Sequence, residues 1–129
     1  MKKIKYVIMI ILVFSIDQIS KLIISNSINL NGSVEVIKNF FSLTYVKNKG
    51  AAFGMFSSYT FIISLISVLI LIYLLFELFR SKSEEKLTNY SLSLIIGGLL
   101  GNLYDRVFLG CVRDFFDFTL FDKGFAIFN

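Results

Sequence analysis

Three runs of apolar residues, each long enough to cross a lipid bilayer, constrain this chain more than any other feature. A helix needs about 20 residues to span the hydrocarbon core. Runs of that length cover residues 4–24, 59–79 and 89–109, the second almost purely apolar and the third richer in glycine and polar side chains. Hydrophobic residues make up 56% of the 129, more than a water-soluble domain of this length could bury, so lipid is the expected solvent. The length leaves room for one domain, residues 1–129. The fold class read from this pattern is an all-α membrane protein with three transmembrane helices. No proline is present, so nothing obliges these helices to kink.

The first run could be mistaken for a cleaved secretory signal, because Lys2, Lys3 and Lys5 precede it. No small-residue cleavage site follows, and the apolar pattern continues past Asp17 through Lys21 to Ile24, which predicts an uncleaved helix. Cations cluster again at Arg80, Lys82 and Lys86, between the second and third runs. The excess of lysine and arginine on one side places the N-terminus and the 80–88 connection in the cytoplasm. Residues 25–58 and the tail 110–129 are then expected on the opposite, extracytoplasmic side of the membrane. The net charge of +4 gathers into no single stripe or patch, which argues against a nucleic-acid partner. The single cysteine, Cys111, allows no internal disulfide.

Phe41, Leu43 and Tyr45 alternate with Ser42, Thr44 and Val46, the period of a half-buried strand. Turn signals stand on either side, Asn31-Gly32 before and Asn48-Lys49-Gly50 after. A small extracytoplasmic β element is therefore expected on the outer face of the helices.

The chain has no histidine, so acid–base chemistry must run on Asp, Glu, Lys or Tyr. Asp17 and Lys21, four apart on the first helix, share a face. They read equally well as a structural ion pair or as the polar edge of a site, since ionisable groups inside a membrane are costly unless paired or functional. Gly98 and Gly101 would give the third helix a face for tight packing, with Asn102 and Asp105 sharing a face near its outer end. Asp105 beside Arg106 reads as a charge-neutralised structural carboxylate. In Val112-Arg113-Asp114-Phe115-Phe116-Asp117-Phe118, Asp114 sits among phenyl rings that would desolvate it and raise its pKa. Such a carboxyl suits aspartic-type catalysis. The same segment also fits an interfacial aromatic anchor with solvated carboxylates.

Taken together, four blocks narrow these readings. They are Asp17-Gln18 with Lys21; Asn48-x-Gly50-Ala51-Ala52-Phe53; Gly98-x-x-Gly101-Asn102-x-x-Asp105-Arg106; and Val112-x-Asp114-Phe115. In this order and spacing the chain resembles the lipoprotein signal peptidases, the signal peptidase II family of bacterial aspartic proteases. The resemblance implies a four-helix membrane enzyme that removes the signal peptide of a diacylglyceryl-modified prolipoprotein, cutting just before the lipidated cysteine. It implies no metal and no cofactor, with membrane lipid as surroundings. Asp114 would be the first catalytic aspartate. The second would come from a Phe-Asn-x-Ala-Asp motif whose first two residues match Phe128-Asn129, so it is expected three residues past Asn129, followed by the fourth helix. On that pattern the 129 residues read as a C-terminally truncated member lacking half of the catalytic pair. Asp17, Lys21, Asn48, Gly50, Asn102, Asp105, Arg106 and Asn129 would bind substrate or hold the site in shape. This chain departs from the family pattern at Lys47, Arg113 and Ala126, where Arg, Val and Pro are common. A non-catalytic membrane module that binds lipidated signal peptides or partner helices is the alternative.

Overall fold

A computed structural model describes residues 3–50, 59–120 and 123–129. Three helices carry it: α1 (Ile4–Ser27), α2 (Thr60–Arg80) and α3 (Lys86–Leu109), each long and apolar enough to cross a membrane. Their apolar side chains point largely outward; Phe61 is 80% exposed, Leu69 61% and Ile23 59%. In water this would be a large unpaid hydrophobic cost, whereas in lipid it is the expected surface. Helix α3 packs against both α1 and α2 and is the centre of the bundle. The helical core is small, with Tyr6, Ile10, Leu78 and Ile96 buried together.

The packing of α1 on α3 corrects one sequence expectation. The tight glycine face is Gly97/Gly101, not Gly98/Gly101, and its partner is α1. A side chain at Gly97 would place its Cβ 2.6 Å from that of Val13, and one at Gly101 would run into the Asp17 carboxylate, whereas one at Gly98 would meet nothing within 4 Å among the described residues. Spacing explains the difference: positions four apart lie on one helix face and let two backbones approach.

At the opposite end of the bundle, Lys3 does more than supply positive charge. Its Nζ donates to the carbonyl oxygens of Leu78 and Ser81, both at 2.6 Å, and to Asn89 Oδ1 at 3.0 Å. A cation on the last carbonyls of α2 satisfies acceptors the helix leaves open and complements its dipole. One side chain thus joins the starts of α1 and α3 to the end of α2.

The β element is larger than the sequence suggested. Strands β1 (Ser33–Ile37), β2 (Phe41–Asn48), β3 (Val112–Leu120) and β4 (Lys123–Gly124) lie in that order in an antiparallel arrangement. Asn31 and Asn39, both with positive φ, make the turns flanking β1, a conformation asparagine tolerates better than most residues. Tyr45 of β2 and Phe115 of β3 pack on Ile24 and Ile28 at the end of α1, which seats the sheet on the bundle.

The glycine face gives a direct test. Gly97→Ala and Gly101→Ala should each lose about 1–3 kcal/mol through overpacking, while Gly98→Ala should be close to neutral, as read by thermal unfolding in detergent.

Candidate active site

The site begins where α3 ends. Gly110, with φ +69°, adopts the left-handed conformation that closes a helix, and its N–H donates to the Arg106 carbonyl at 3.1 Å. Only Cys111 then separates it from Val112, where β3 starts. This short turn brings the last turn of α3 against the first residues of β3.

Asp105, fully buried, takes advantage of that proximity. It accepts three bonds from Arg113: the backbone N–H at 3.0 Å, Nε at 3.1 Å and Nη2 at 2.7 Å. The sequence reading paired Asp105 with its neighbour Arg106, and the structure corrects this. Adjacent residues on a helix point about 100° apart, while Arg113 returns on β3 to face Asp105. The bonds to the Asp105 carboxylate hold the Arg113 guanidinium firmly protonated, against the opposing pull of burial. Arg113 Nη2 also donates to Gln18 Oε1 at 2.8 Å, and Gln18 Nε2 donates to Asp17, Asp105 and the Gly101 carbonyl. Lys21, fully buried, donates to Asp17 at 2.9 Å and to Asn102 Oδ1 at 2.8 Å, and lies 3.6 Å from Asp105. Two carboxylates and two cations from α1, α3 and β3 thus cancel inside the bundle.

The residue after Arg113 is Asp114, 4% exposed. Asn48 Nδ2 donates to its Oδ2 at 2.9 Å, and Asn129 Nδ2 donates to its Oδ1. Asn129 arrives because the last residues run antiparallel beside β3, with Phe128 exchanging backbone bonds with Phe116. Asn48 ends β2, where it lies opposite Val112, and its Oδ1 accepts the Gly50 N–H at 2.9 Å. Burial pushes the Asp114 carboxyl above the ordinary carboxylate range, against the opposing pull of the Asn48 and Asn129 amides and of Lys21 and Arg106. A cavity of about 180 Å³ opens beside it, lined among others by Asn48, Asn102, Arg106, Asp114 and Asn129.

Of the residues singled out in the sequence, Asn48, Asn102, Arg106, Asp114 and Asn129 meet at this cavity. Asp17, Lys21 and Asp105 form the charge cluster behind it. The Gly50 carbonyl accepts from Arg106 Nη2 at 3.4 Å, and Ala51 to Phe53 lie outside the described residues. Asp117 points elsewhere, accepting from Thr44 Oγ1 at 2.6 Å. Among the described residues, Asp114 is the one acid lining the cavity. Sequence reasoning missed the roles of Gln18 and Arg113; an amide and a guanidinium beside otherwise apolar positions were the available signal.

Fold and site together define a multi-pass membrane protein with a buried carboxyl group at a polar cavity just outside its helices. The sequence profile described as signal peptidase (SPase) II matches residues 9–129. The lipoprotein signal peptidase of Caldanaerobacter subterraneus subsp. tengcongensis is 42% identical over 123 residues, covering 95% of this chain and 82% of the relative. That of Clostridium tetani is 42% identical over 125 residues, covering 95% and 80%. Two solved bacterial membrane enzymes, determined by the in meso method at 2.3 and 1.9 Å resolution, superpose with TM-scores of 0.88 and 0.85 at 34% identity. They match 97% of this chain and 76% and 81% of theirs. The chain belongs to the signal peptidase II family.

The buried carboxyl makes a pH prediction. Asp114 binds its proton more tightly folded than unfolded, so its stabilising contribution is complete below the ordinary carboxylate pKa and is lost as the pH rises through the raised value. The melting temperature of the wild-type chain should therefore fall relative to Asp114→Asn as the pH is raised from about 4. A difference independent of pH would contradict the shift.

Proposed function

We propose that this protein is a membrane aspartic endopeptidase that removes the signal peptide from diacylglyceryl-modified prolipoproteins, cutting on the N-terminal side of the lipidated cysteine. The observation that carries this reading is Asp114: buried, raised in pKa, held at both oxygens by asparagine amides, and lining a polar cavity. Family membership and the names of its relatives support the same assignment.

In this mechanism Asp114 works with a second carboxyl group supplied from the segment that follows Asn129 in the family pattern. One carboxylate takes a proton from water, and the resulting oxygen nucleophile attacks the scissile carbonyl carbon. The other carboxyl, still protonated, donates to the carbonyl oxygen as charge develops there. Collapse of the tetrahedral intermediate breaks the C–N bond, and a proton passes to the nitrogen of the departing cysteine residue. Two carboxylates that share one proton titrate as one unit. Asn48 and Asn129 fix the Asp114 oxygens in place, and Asn102 stands in the same cavity with its Oδ1 held by Lys21. A carboxyl with unshifted pKa would be fully ionised at neutral pH and a poor proton donor; burial of Asp114 favours the shared-proton state.

Cleavage of a purified lipidated prolipoprotein tests this. A polypeptide of residues 1–129 should not cleave, whereas one extended through an Ala-Asp and a fourth apolar helix should. Asp114→Asn should lower the rate of the extended form by at least about 10²–10⁴. Cleavage by residues 1–129 that depends on Asp114 would place Asp105 or Asp117 in the partner role.

The clusters at the N-terminus and at Arg80, Lys82 and Lys86 support a cytoplasmic N-terminus, with the sheet and Asp114 outside. Ser33→Cys in a Cys111→Ser background should react with a membrane-impermeant thiol reagent in intact cells. Labelling only after lysis would reverse the orientation.

A further inference from the structure

At the end of the bundle away from Asp114, the connection between α2 and α3 is tied down by a buried side chain that takes no part in the site already described. Asn89 is fully buried. Its Nδ2 donates to the carbonyl oxygens of Lys82 and Glu85 at 2.8 and 2.9 Å. Its Oδ1 accepts from Lys3 Nζ at 3.0 Å and from the Ser81 hydroxyl. Together with the bonds from Lys3 to Leu78 and Ser81, this answers from inside the backbone acceptors that the end of α2 leaves open. What the turn presents to its surroundings is a fixed arrangement of charged side chains.

Those charges line a cleft of about 360 Å³ between the end of α2 and the start of α3. Glu77 and Arg80 stand on the α2 wall and Lys82 and Glu85 on the connection, so two acids and two cations share one cavity. Their mutual pairing is slight. Arg80 and Glu77 approach to 3.5 Å, a largely exposed contact that is worth little in itself. Lys82 and Glu85 make no ion pair among the described residues. Thr88 adds a hydroxyl, and Leu92, which packs on the helical core, adds an apolar floor. Both helices have bilayer length, so the cleft opens where hydrocarbon gives way to headgroups. The same two helix faces, followed into the bilayer, carry Tyr73 and Ile95, 61% and 55% exposed.

The charge pattern selects the ligand. An anionic headgroup would meet Glu77 and Glu85 as like charges, and a purely cationic one would meet Arg80 and Lys82. A headgroup with a phosphate and a primary ammonium a short link apart satisfies both pairs and brings no net charge. Its phosphate suits the guanidinium fork, and its ammonium has three N–H donors for the carboxylates and Thr88. We infer that this cleft binds a zwitterionic aminophospholipid, phosphatidylethanolamine, with the phosphate on Arg80 and Lys82 and the ammonium on Glu77 and Glu85. Its acyl chains run past Tyr73 and Ile95. The inference does not rest on the peptidase reading, and on the charge-based orientation the site belongs to the cytoplasmic leaflet.

Native mass spectrometry of the 129-residue protein, released from detergent and titrated with phosphatidylethanolamine, phosphatidylcholine and phosphatidylglycerol of matched acyl chains, tests this. One phosphatidylethanolamine should bind about tenfold more tightly than either of the others. Glu77→Gln and Arg80→Gln should each weaken it about tenfold and leave phosphatidylcholine binding unchanged. Glu85→Lys should move the preference to phosphatidylglycerol, a gain that a misfolded variant could not show. Equal binding of the three lipids would overturn the site and leave only an unselective lipid shell. Tightest binding of phosphatidylglycerol by the wild-type chain would overturn the zwitterion assignment in favour of a collar of cations. A phosphatidylethanolamine preference that survives both glutamine substitutions would place the lipid elsewhere and overturn the cleft. A form extended through a fourth helix should keep the preference; its loss there would overturn the inference, with the added segment as the occupant.

Discussion

The structure depends on a buried neutralisation of charge. Asp17 and Lys21 come from α1, Asp105 from α3 and Arg113 from β3, and their two negative and two positive charges meet with Lys21 and Asp105 fully buried and Asp17 and Arg113 nearly so. None of the four could be buried alone at tolerable cost, and removing one partner of such a cluster leaves an uncompensated charge worth about 3–5 kcal/mol. Because the members come from three elements, satisfying the charges also fixes how those elements sit. Gly101 lets α1 approach closely enough for Asp17 to enter, and Gln18 fills the remaining acceptors of Asp105 and Gly101.

The position of Asp114 follows from that cluster. Arg113 is tied to Asp105 by its side chain and by its own backbone N–H, so the start of β3 cannot shift along the end of α3 without breaking the pair. Asp114 is the next residue, pairs with Val46 of β2 and projects towards Asn48 at the strand's end. The arrangement separates two kinds of carboxyl by their surroundings. Asp105 is paired with cations, while Asp114 is given amides and apolar burial, and burial raises its pKa.

Much of this was legible in the sequence, for identifiable reasons. Bilayer-length apolar runs announce the three helices because every backbone group in lipid must be satisfied within the segment. Strand β2 was readable from the alternation at Phe41, Leu43 and Tyr45. Strand β3 was not, because the consecutive Phe115 and Phe116 both pack with the cluster that seats the sheet, while Phe116 and Phe118 also stack with Phe41, so the period of two vanishes. Strand β1, exposed along its length, carries no burial signal at all. The pairing of Asp105 with Arg113 escaped notice because sequence adjacency favoured Arg106, and only the Gly110 turn reveals which cation comes back. Lys3 read as topological charge, since nothing local says that a side chain will cap a helix more than seventy residues away.

The central claim is that the Asp105–Arg113 pair couples the helices to the strand bearing Asp114. A double-mutant cycle with Asp105→Asn and Arg113→Gln, read by unfolding in detergent, measures that coupling directly. The account predicts an interaction energy of about 1–3 kcal/mol, with the double variant less impaired than the two single losses added together. Strictly additive effects would show that the two residues act independently, and would contradict it.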